Sequence, residues 1–347
     1  MIGKISNINN IFSNQETQFL FLHRYLYGGG TTFTAHLLHK LCFRSKNIVL
    51  RCVIRSENRL RDFGYGLSYR NISTDLLKDI RHPFITLIKD NYLHVIHKLN
   101  ERKNTDEIIL VVHDYRDISN KIMPYVTTWK LVTIRKTVQD YLKNKYNLDS
   151  LFLHHPFYPY PIISKDSREG TISISRISFE KNIDVIIKAN KYLNEQQQIK
   201  LFGCPSRMYV HFSLGSLKKD FNKYYYGQFN KSFSTLSEML AKVKFVIDLS
   251  SLKWDGGGTQ YTFLEAIHNG CGLILHRKWL EGNDIPREYC DFKENYNCFA
   301  VENETELAEL IKKDPDPARI VKNARKLMKR HIEVDWSQLL RDGYTDS

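Results

Sequence analysis

None of the six cysteines, Cys42, Cys52, Cys204, Cys271, Cys290 and Cys298, stands in a Cys-x-x-Cys pair. Neither a zinc site nor a disulfide framework is signalled, and a reducing, cytosolic setting fits best. No run approaches the length of uninterrupted apolar residues that a membrane-spanning helix needs. Met1 to Gln18 is polar and Asn-rich, without the apolar stretch of a secretory signal. Acid is in short supply: 38 Asp and Glu face 51 Lys and Arg, a net charge of +13. The pI near 9.3 points to a polyanionic partner, whether nucleic acid, an acidic membrane surface or a nucleotide. The same charge also serves simply to keep a basic protein soluble. Proline is sparse, at 9 in 347 residues, yet Pro156, Pro159 and Pro161 fall together. No fixed-period repeat interrupts the chain.

What is present is an alternation of short apolar runs with helical patterns. Phe19 to Leu22, Ile48 to Ile54, Ile108 to Val112, Leu131 to Ile134 and Leu151 to Leu153 read as strands in the first half. Thr31 to Phe43 and Val138 to Tyr146 read as helices. The second half repeats the pattern, with strands at Ile172 to Ile174, Ile199 to Phe202, Phe245 to Leu249 and Leu273 to Leu275. Helices are expected at Ile183 to Leu193, Phe233 to Ala241, Thr262 to Asn269, Glu304 to Lys312 and Pro317 to His331. Such alternation implies parallel sheets with helices on both faces. The length suits two domains. The expected division is an N-terminal Rossmann-like domain over 1–153, a Pro-rich hinge over 154–161 and a C-terminal Rossmann-like domain over 162–347. The last helix is free to pack back on the N-terminal domain.

Five places could carry chemistry. Gly28-Gly29-Gly30 lies between a strand and a helix, where the backbone can approach an anion and the helix start offers unpaired N–H groups. A tight strand–helix turn is the plainer reading. No Lys-Ser/Thr follows, so it is not a P-loop; Phe33 and a missing ribose-binding acid also break the dinucleotide fingerprint. Trp254 to Gln260, with Asp255, Gly256, Gly257, Gly258 and Thr259, is a second such loop ahead of the helix holding Glu265. Ser175 to Asn182 carries Arg176 and Lys181 at a strand's C-terminal end, where they could neutralise a diphosphate or form a solvated basic turn. His113-Asp114 also ends a strand, and suits either acid–base work or a structural hydrogen bond. Arg55 to Arg70 interleaves Arg55, Arg59, Arg61 and Arg70 with Phe63, Tyr65 and Tyr69. It is expected to be a long loop, either an ordinary exposed one or one that contacts phosphates and stacks on bases.

Together the pieces resemble a known family. Arg176-Ile-x3-Lys181-Asn-x-Asp184-x-x-Ile-x-Ala189 is similar to the motif opening the donor domain of the retaining GT-B glycosyltransferases. Phe245 to Ser250, the glycine loop, and Tyr261-Thr262-Phe-Leu-Glu265-Ala-Ile-x-x-Gly270 resemble their acidic helix. Gly28 to Gly30 match their acceptor-domain glycine loop, and Tyr226-Gly227-Gln228 falls where they contact the nucleotide base. A finer resemblance is to the phage DNA α-glucosyltransferases, carried by Gly28 to Phe33, His113-Asp114 and Tyr261 to Glu265. The Asn, Ile, Lys and Tyr load is that of an AT-rich genome, which a viral source would fit.

The resemblance implies an α/β GT-B fold, two Rossmann-like domains facing a central cleft. It implies a hexosyl- or glycosyltransferase that uses a nucleotide-sugar, UDP favoured over GDP, as co-substrate and needs no metal or other cofactor. Donor-binding residues would be Gly29, Gly30, Arg176, Lys181, Gly203, Gln228, Gly257, Gly258, Thr259, Tyr261, Thr262 and Glu265, with Glu265 on the ribose. His113 would contact the donor sugar and Asp114 assist deprotonation of the acceptor. The favoured acceptor is a hydroxymethylated base in duplex DNA, held by Arg55, Arg59, Arg61, Tyr65, Tyr69 and Arg70. A lipid-linked or surface glycan is the alternative, and a non-catalytic nucleotide- or nucleic-acid-binding protein is the alternative of another class. A cytoplasmic monomer is expected. One departure stands out: many members have two glutamates with seven residues between them, and the first would fall on Gly257, with Asp255 the nearest acid.

Overall fold

The computed structural model describes residues 18–23, 25–41, 48–53, 60–80, 82–163, 167–251, 258–281 and 289–341. The chain divides into two units, each built on its own sheet. Unit 1 takes Met1–Leu26, Phe33–His154 and Asp335–Ser347; unit 2 takes Tyr27–Thr32 and His155–Val334. The C-terminal segment is fixed to unit 1 by Trp336. Its buried indole packs edge-on against Phe33 at 5.4 Å and donates to the His154 carbonyl at 3.0 Å.

Unit 1 holds β1 (Gln18–Phe21), β2 (Ile48–Val53), β3 (Leu60–Gly64), β4 (Leu67–Ser73), β5 (Pro83–Leu87), β6 (Ile109–Val112), β7 (Lys130–Thr133) and β8 (Leu151–Phe152). Their order is β3-β4-β2-β1-β5-β6-β7-β8, and every neighbouring pair but β3–β4 is parallel. Strands β5 and β6 are buried at every position, because a parallel sheet is covered on both faces and so selects continuous apolar runs. Helices α1 (Gly29–Lys40, in this unit from Phe33 on), α2 (Leu93–Asn100), α3 (Lys136–Tyr146) and a short C-terminal helix, Gln338–Arg341, also belong to the unit. Leu20, Ile85, Leu110, Val95 and Val138 meet in its core.

Unit 2 holds β9 (Thr171–Ser173), β10 (Lys200–Leu201), β11 (Phe245–Asp248), β12 (Gly272–His276) and β13 (Phe299–Val301), all parallel, in the order β10-β9-β11-β12-β13. Its helices are α4 (Ile183–Asn190), α5 (Lys218–Tyr224), α6 (Phe233–Ala241), α7 (Tyr261–His268), α8 (Arg277–Glu281), α9 (Glu304–Lys313) and α10 (Ala318–Glu333). The Pro-rich segment carries no helix or strand. From His155 onward it lies in unit 2, where Phe157 and Tyr160 are buried and Tyr160 accepts from His268 at 2.8 Å.

The strand orders matter for function. In unit 1 the chain leaves β1 toward β2 and later returns to β5 on the other side of β1. In unit 2 it leaves β9 toward β10 and returns to β11 on the other side of β9. Ligands of open α/β sheets bind at the carboxyl ends of strands where the order reverses. Those ends lead to the Gly28 loop and to Ser175-Arg176.

One expectation is corrected. The stretch expected to be a long basic loop becomes the β3–β4 hairpin from Leu60 on, with Arg61 paired to Tyr69 and Leu60 to Arg70 across it. Phe63, Tyr65 and Tyr69 turn inward: they are buried, and Phe63 packs edge-on to Phe21 at 5.3 Å. Tyr65 and Tyr69 therefore offer no face on which a base could stack. Arg61 is exposed and Arg70 partly so, while Arg55 and Arg59 lie outside the described residues.

Candidate active site

Gly203 sets the geometry of unit 2's strand ends. It has φ +140°, and a Cβ there would stand 2.1 Å from the Ser175 carbonyl oxygen. Only glycine lets the two segments approach this closely. Two hydrogen bonds lock them together, Ile177 N–H to the Cys204 carbonyl (3.1 Å) and Ser206 N–H to the Ile177 carbonyl (2.8 Å), and the Tyr225 hydroxyl donates to the Gly203 carbonyl (2.9 Å). Beside this clamp stands Arg176, about half exposed and paired with Glu180 at 2.7 Å. Burial works to raise the Glu180 carboxyl, but the Arg176 charge, hydrogen bonds from the Glu180 backbone and Ser178, and the Lys181 charge together hold the group below its ordinary value. Gly28, which belongs to the same unit, faces this arginine: a Cβ on it would lie 3.4 Å from Arg176 Cδ. Gly29 and Gly30 open α1 directly after it.

Lys181 is placed differently from what its spacing suggested. It is 6% exposed, and its ammonium donates to Asp248 (3.0 Å), Ser250 (2.6 Å) and Gln260 (2.7 Å). Three N–H donors meet three acceptors, so none is left for a diphosphate. The direct contact expected of Lys181 is corrected to a positioning role. It ties the Ser178–Asn182 turn to the end of β11 and to the start of α7. Ser250 also donates to Asp248, and Asn182 donates to the Leu249 carbonyl at 2.8 Å.

The start of α7 is thereby fixed. Gln260 precedes its first turn, and Gly258 accepts from the Trp279 indole at 3.1 Å. The Thr259 hydroxyl, buried, donates to Asp291 at 3.0 Å, and Asp291 is also paired with Arg330. Tyr261 donates to the Pro156 carbonyl at 2.9 Å; Thr262 is partly exposed beside it. Gly257 and Asp255 lie outside the described residues. One turn on, Glu265 is 5% exposed, and burial pushes its carboxyl up to about 8. At neutral pH it is mostly protonated and able to donate as well as accept. Gln228 is exposed next to Tyr226, whose ring is also exposed and carries the Lys200 ammonium 5.4 Å from its centroid.

In unit 1, His113-Asp114 follows β6. His113 Nε2 lies 2.7 Å from the Thr86 carbonyl, so Nε2 holds the ring proton and Nδ1 is the acceptor. Burial lowers the imidazole below its ordinary value, which keeps it neutral. Burial works to raise Asp114, but hydrogen bonds from Arg116 and the charges of Lys89 and Arg116 hold it below the usual carboxylate range. The turn itself is pinned by a residue that spacing did not single out. Asp117, fully buried, accepts from the backbone N–H of His113 (2.8 Å) and of Asp114 (3.2 Å) and from Lys89 (2.5 Å). Asp117 and Lys89 were missed, and Asp248, Ser250 and Gln260 lay within quoted segments without an assigned role; Lys89 and Asp248 act through partners distant in sequence, and His113-x3-Asp117 was the one local signal.

The sequence contains one Asp-x-Asp, Asp314-Pro315-Asp316, and it sits beyond the end of α9, where Asp314 pairs with Lys244 at 2.7 Å. Among the described residues no group of three or more His, Cys, Asp or Glu side chains is placed to hold a metal ion. No helix among them is long and apolar enough to cross a membrane.

No family model matches the sequence, and no curated protein matches it. Solved structures match it in fold. Anabaena HepE in complex with UDP-glucose is similar over 94% of this chain and 98% of its own, at 12% identity and TM-score 0.66. A glycosyltransferase from Rickettsia africae is similar over 95% and 97%, at 13% identity and TM-score 0.61. Sucrose-phosphate synthase from Thermosynechococcus elongatus is similar over 94% and 98%, at 12% identity and TM-score 0.63. The chain has the α/β fold of the GT-B glycosyltransferases.

Proposed function

We propose that the protein is a nucleotide-sugar-dependent glycosyltransferase, with the nucleotide-sugar bound in unit 2. The observation that carries this reading is the cluster at the strand-order reversal of unit 2: exposed Arg176 facing Gly28, the Lys181–Asp248 lock on the start of α7, and buried Glu265 one turn on. Solved structures of this fold that hold UDP or UDP-glucose support it, and UDP is the favoured nucleotide. Arg176 and the first N–H groups of α7, near Gly258 and Thr259, stabilise the diphosphate as it leaves. Glu265 bonds the ribose hydroxyls, and Tyr226 and Gln228 meet the base. In unit 1, the Nδ1 acceptor of His113 suits a hydroxyl donor, and the ionised Asp114 carboxylate suits the proton of an acceptor hydroxyl. The acceptor hydroxyl oxygen forms the new bond to the anomeric carbon while the bond to the diphosphate breaks. The charge needs no metal, and the resemblance favours retention of configuration.

For the acceptor, a hydroxymethylated base in DNA keeps the net charge of +13 and the cations Arg61 and Arg70 as its support, the stacking tyrosines being buried. The test is nucleoside diphosphate release from a panel of nucleotide-sugars, with and without duplex carrying 5-hydroxymethylcytosine. Donor-specific release that Arg176→Ala lowers by about a hundred-fold or more supports the reading. Stimulation by the modified duplex alone assigns the DNA acceptor; release indifferent to DNA moves the acceptor to a glycan. UDP binding without release from any donor would make the protein a binding module, and wild-type release by Arg176→Ala would refute the site.

A further inference from the structure

Phe212 and Met208, at 67% and 60% exposure, are the two most exposed large apolar side chains among the described residues. They stand four apart on the helical turn after Pro205, so they share one side of it. The turn opens with Val210 N–H to the Ser206 carbonyl (3.0 Å) at α-helical spacing and closes with Leu214 N–H to the Tyr209 carbonyl (3.1 Å), the wider spacing of a single π turn. Its other side is anchored: Tyr209 and Leu214 are buried in the unit 2 core. Phe179, half exposed, packs edge-on to Tyr209 at 5.1 Å and extends the apolar tip toward the Arg176 turn. On the turn and the helix that follows it in the chain, Arg207, His211, Lys218, Lys219 and Lys223 are all exposed. Between 207 and 223 there is one carboxylate, Asp220, and it is taken by Lys191 at 2.9 Å.

We propose that this turn docks unit 2 on an anionic lipid bilayer, with Met208 and Phe212 inserted at the boundary between headgroups and acyl chains and Arg207, Lys218 and Lys219 on the headgroup phosphates. Both halves of the surface are needed for the assignment. Exposed apolar area among polar groups marks an interaction site, and cations following an apolar tip along the chain match a layer of negative charge above an apolar layer. A nucleic acid offers the charge without the apolar layer and leaves Met208 and Phe212 unused. The docking surface stands independently of glycosyl transfer.

The test is co-sedimentation of the full chain with phosphatidylserine-containing vesicles and with pure phosphatidylcholine vesicles. Binding to the anionic vesicles is expected, weakened by salt, and reduced about ten-fold or more by Met208→Ser/Phe212→Ser, whose lost apolar contact supplies the insertion. Lys218→Glu/Lys219→Glu, confined to exposed positions, should reduce it similarly. Melting temperature and UDP affinity are read on the same variants and should not move, so a folding defect or failure of the donor site is seen separately. Absence of vesicle binding, or wild-type binding by both variants, overturns the proposal. A concentration-dependent dimer that Met208→Ser/Phe212→Ser abolishes, without vesicle binding, assigns the face to a second copy instead.

Discussion

Replacing Glu265 by glutamine should make the protein more stable and its ligand binding worse, and both effects have a definite pH dependence. Burial raises the Glu265 carboxyl from 4.5 to about 8. Below about pH 4 the side chain is neutral in both folded and unfolded chains and costs nothing. As pH rises from 4.5 toward 8, the unfolded chain ionises and the folded chain does not, so the folded state loses stability. At ~1.4 kcal/mol per pH unit the full loss is about 5 kcal/mol above pH 8. Glutamine keeps the shape and hydrogen bonds of the neutral acid and has no proton to lose. Melting temperatures of wild type and Glu265→Gln should therefore nearly coincide near pH 5 and diverge steadily toward pH 8.5, the variant higher, by several degrees. Calorimetry of UDP binding in buffers of different ionisation enthalpy supplies the functional half. Ribose hydroxyls bonding the ionised form draw off the proton, so wild type should release up to one proton at neutral pH and the variant none. Parallel melting curves over this range would refute the burial argument. Equal proton release by the two proteins would refute the ribose role.

Gly203→Ala places a Cβ 2.1 Å from a backbone oxygen at φ +140°; a loss of about 2–4 kcal/mol is expected by chemical denaturation, against little change for Gly215→Ala, whose Cβ meets nothing within 4 Å. Lys181→Ala strands the fully buried Asp248 carboxylate and should cost about 3–5 kcal/mol. Adding Asp248→Asn should recover part of that loss, and strictly additive costs in the double variant would show that the two residues do not act as a pair.

The sequence by itself determined the class of fold. Alternating strand and helix are written in windows of four to twelve residues, since each element selects its own apolar spacing. Strands such as Ile109–Val112 and Phe245–Asp248 are legible because a parallel strand is apolar on both faces. The β3–β4 hairpin was not legible, because its basic, aromatic letters suit a solvated loop equally well. Of the site, the strand-end positions of Arg176, His113 and Gly203 were readable, since strand ends and glycines mark themselves locally. Tertiary structure alone decided the strand orders that make β1 and β9 the reversal points. It also decided that Arg176 faces outward while Lys181, five residues on, is spent on Asp248, 67 residues away, and that Glu265 is sealed from water while Tyr65 and Tyr69 fill a core. Burial and choice of partner depend on residues far apart in the chain, and no local pattern carries that information.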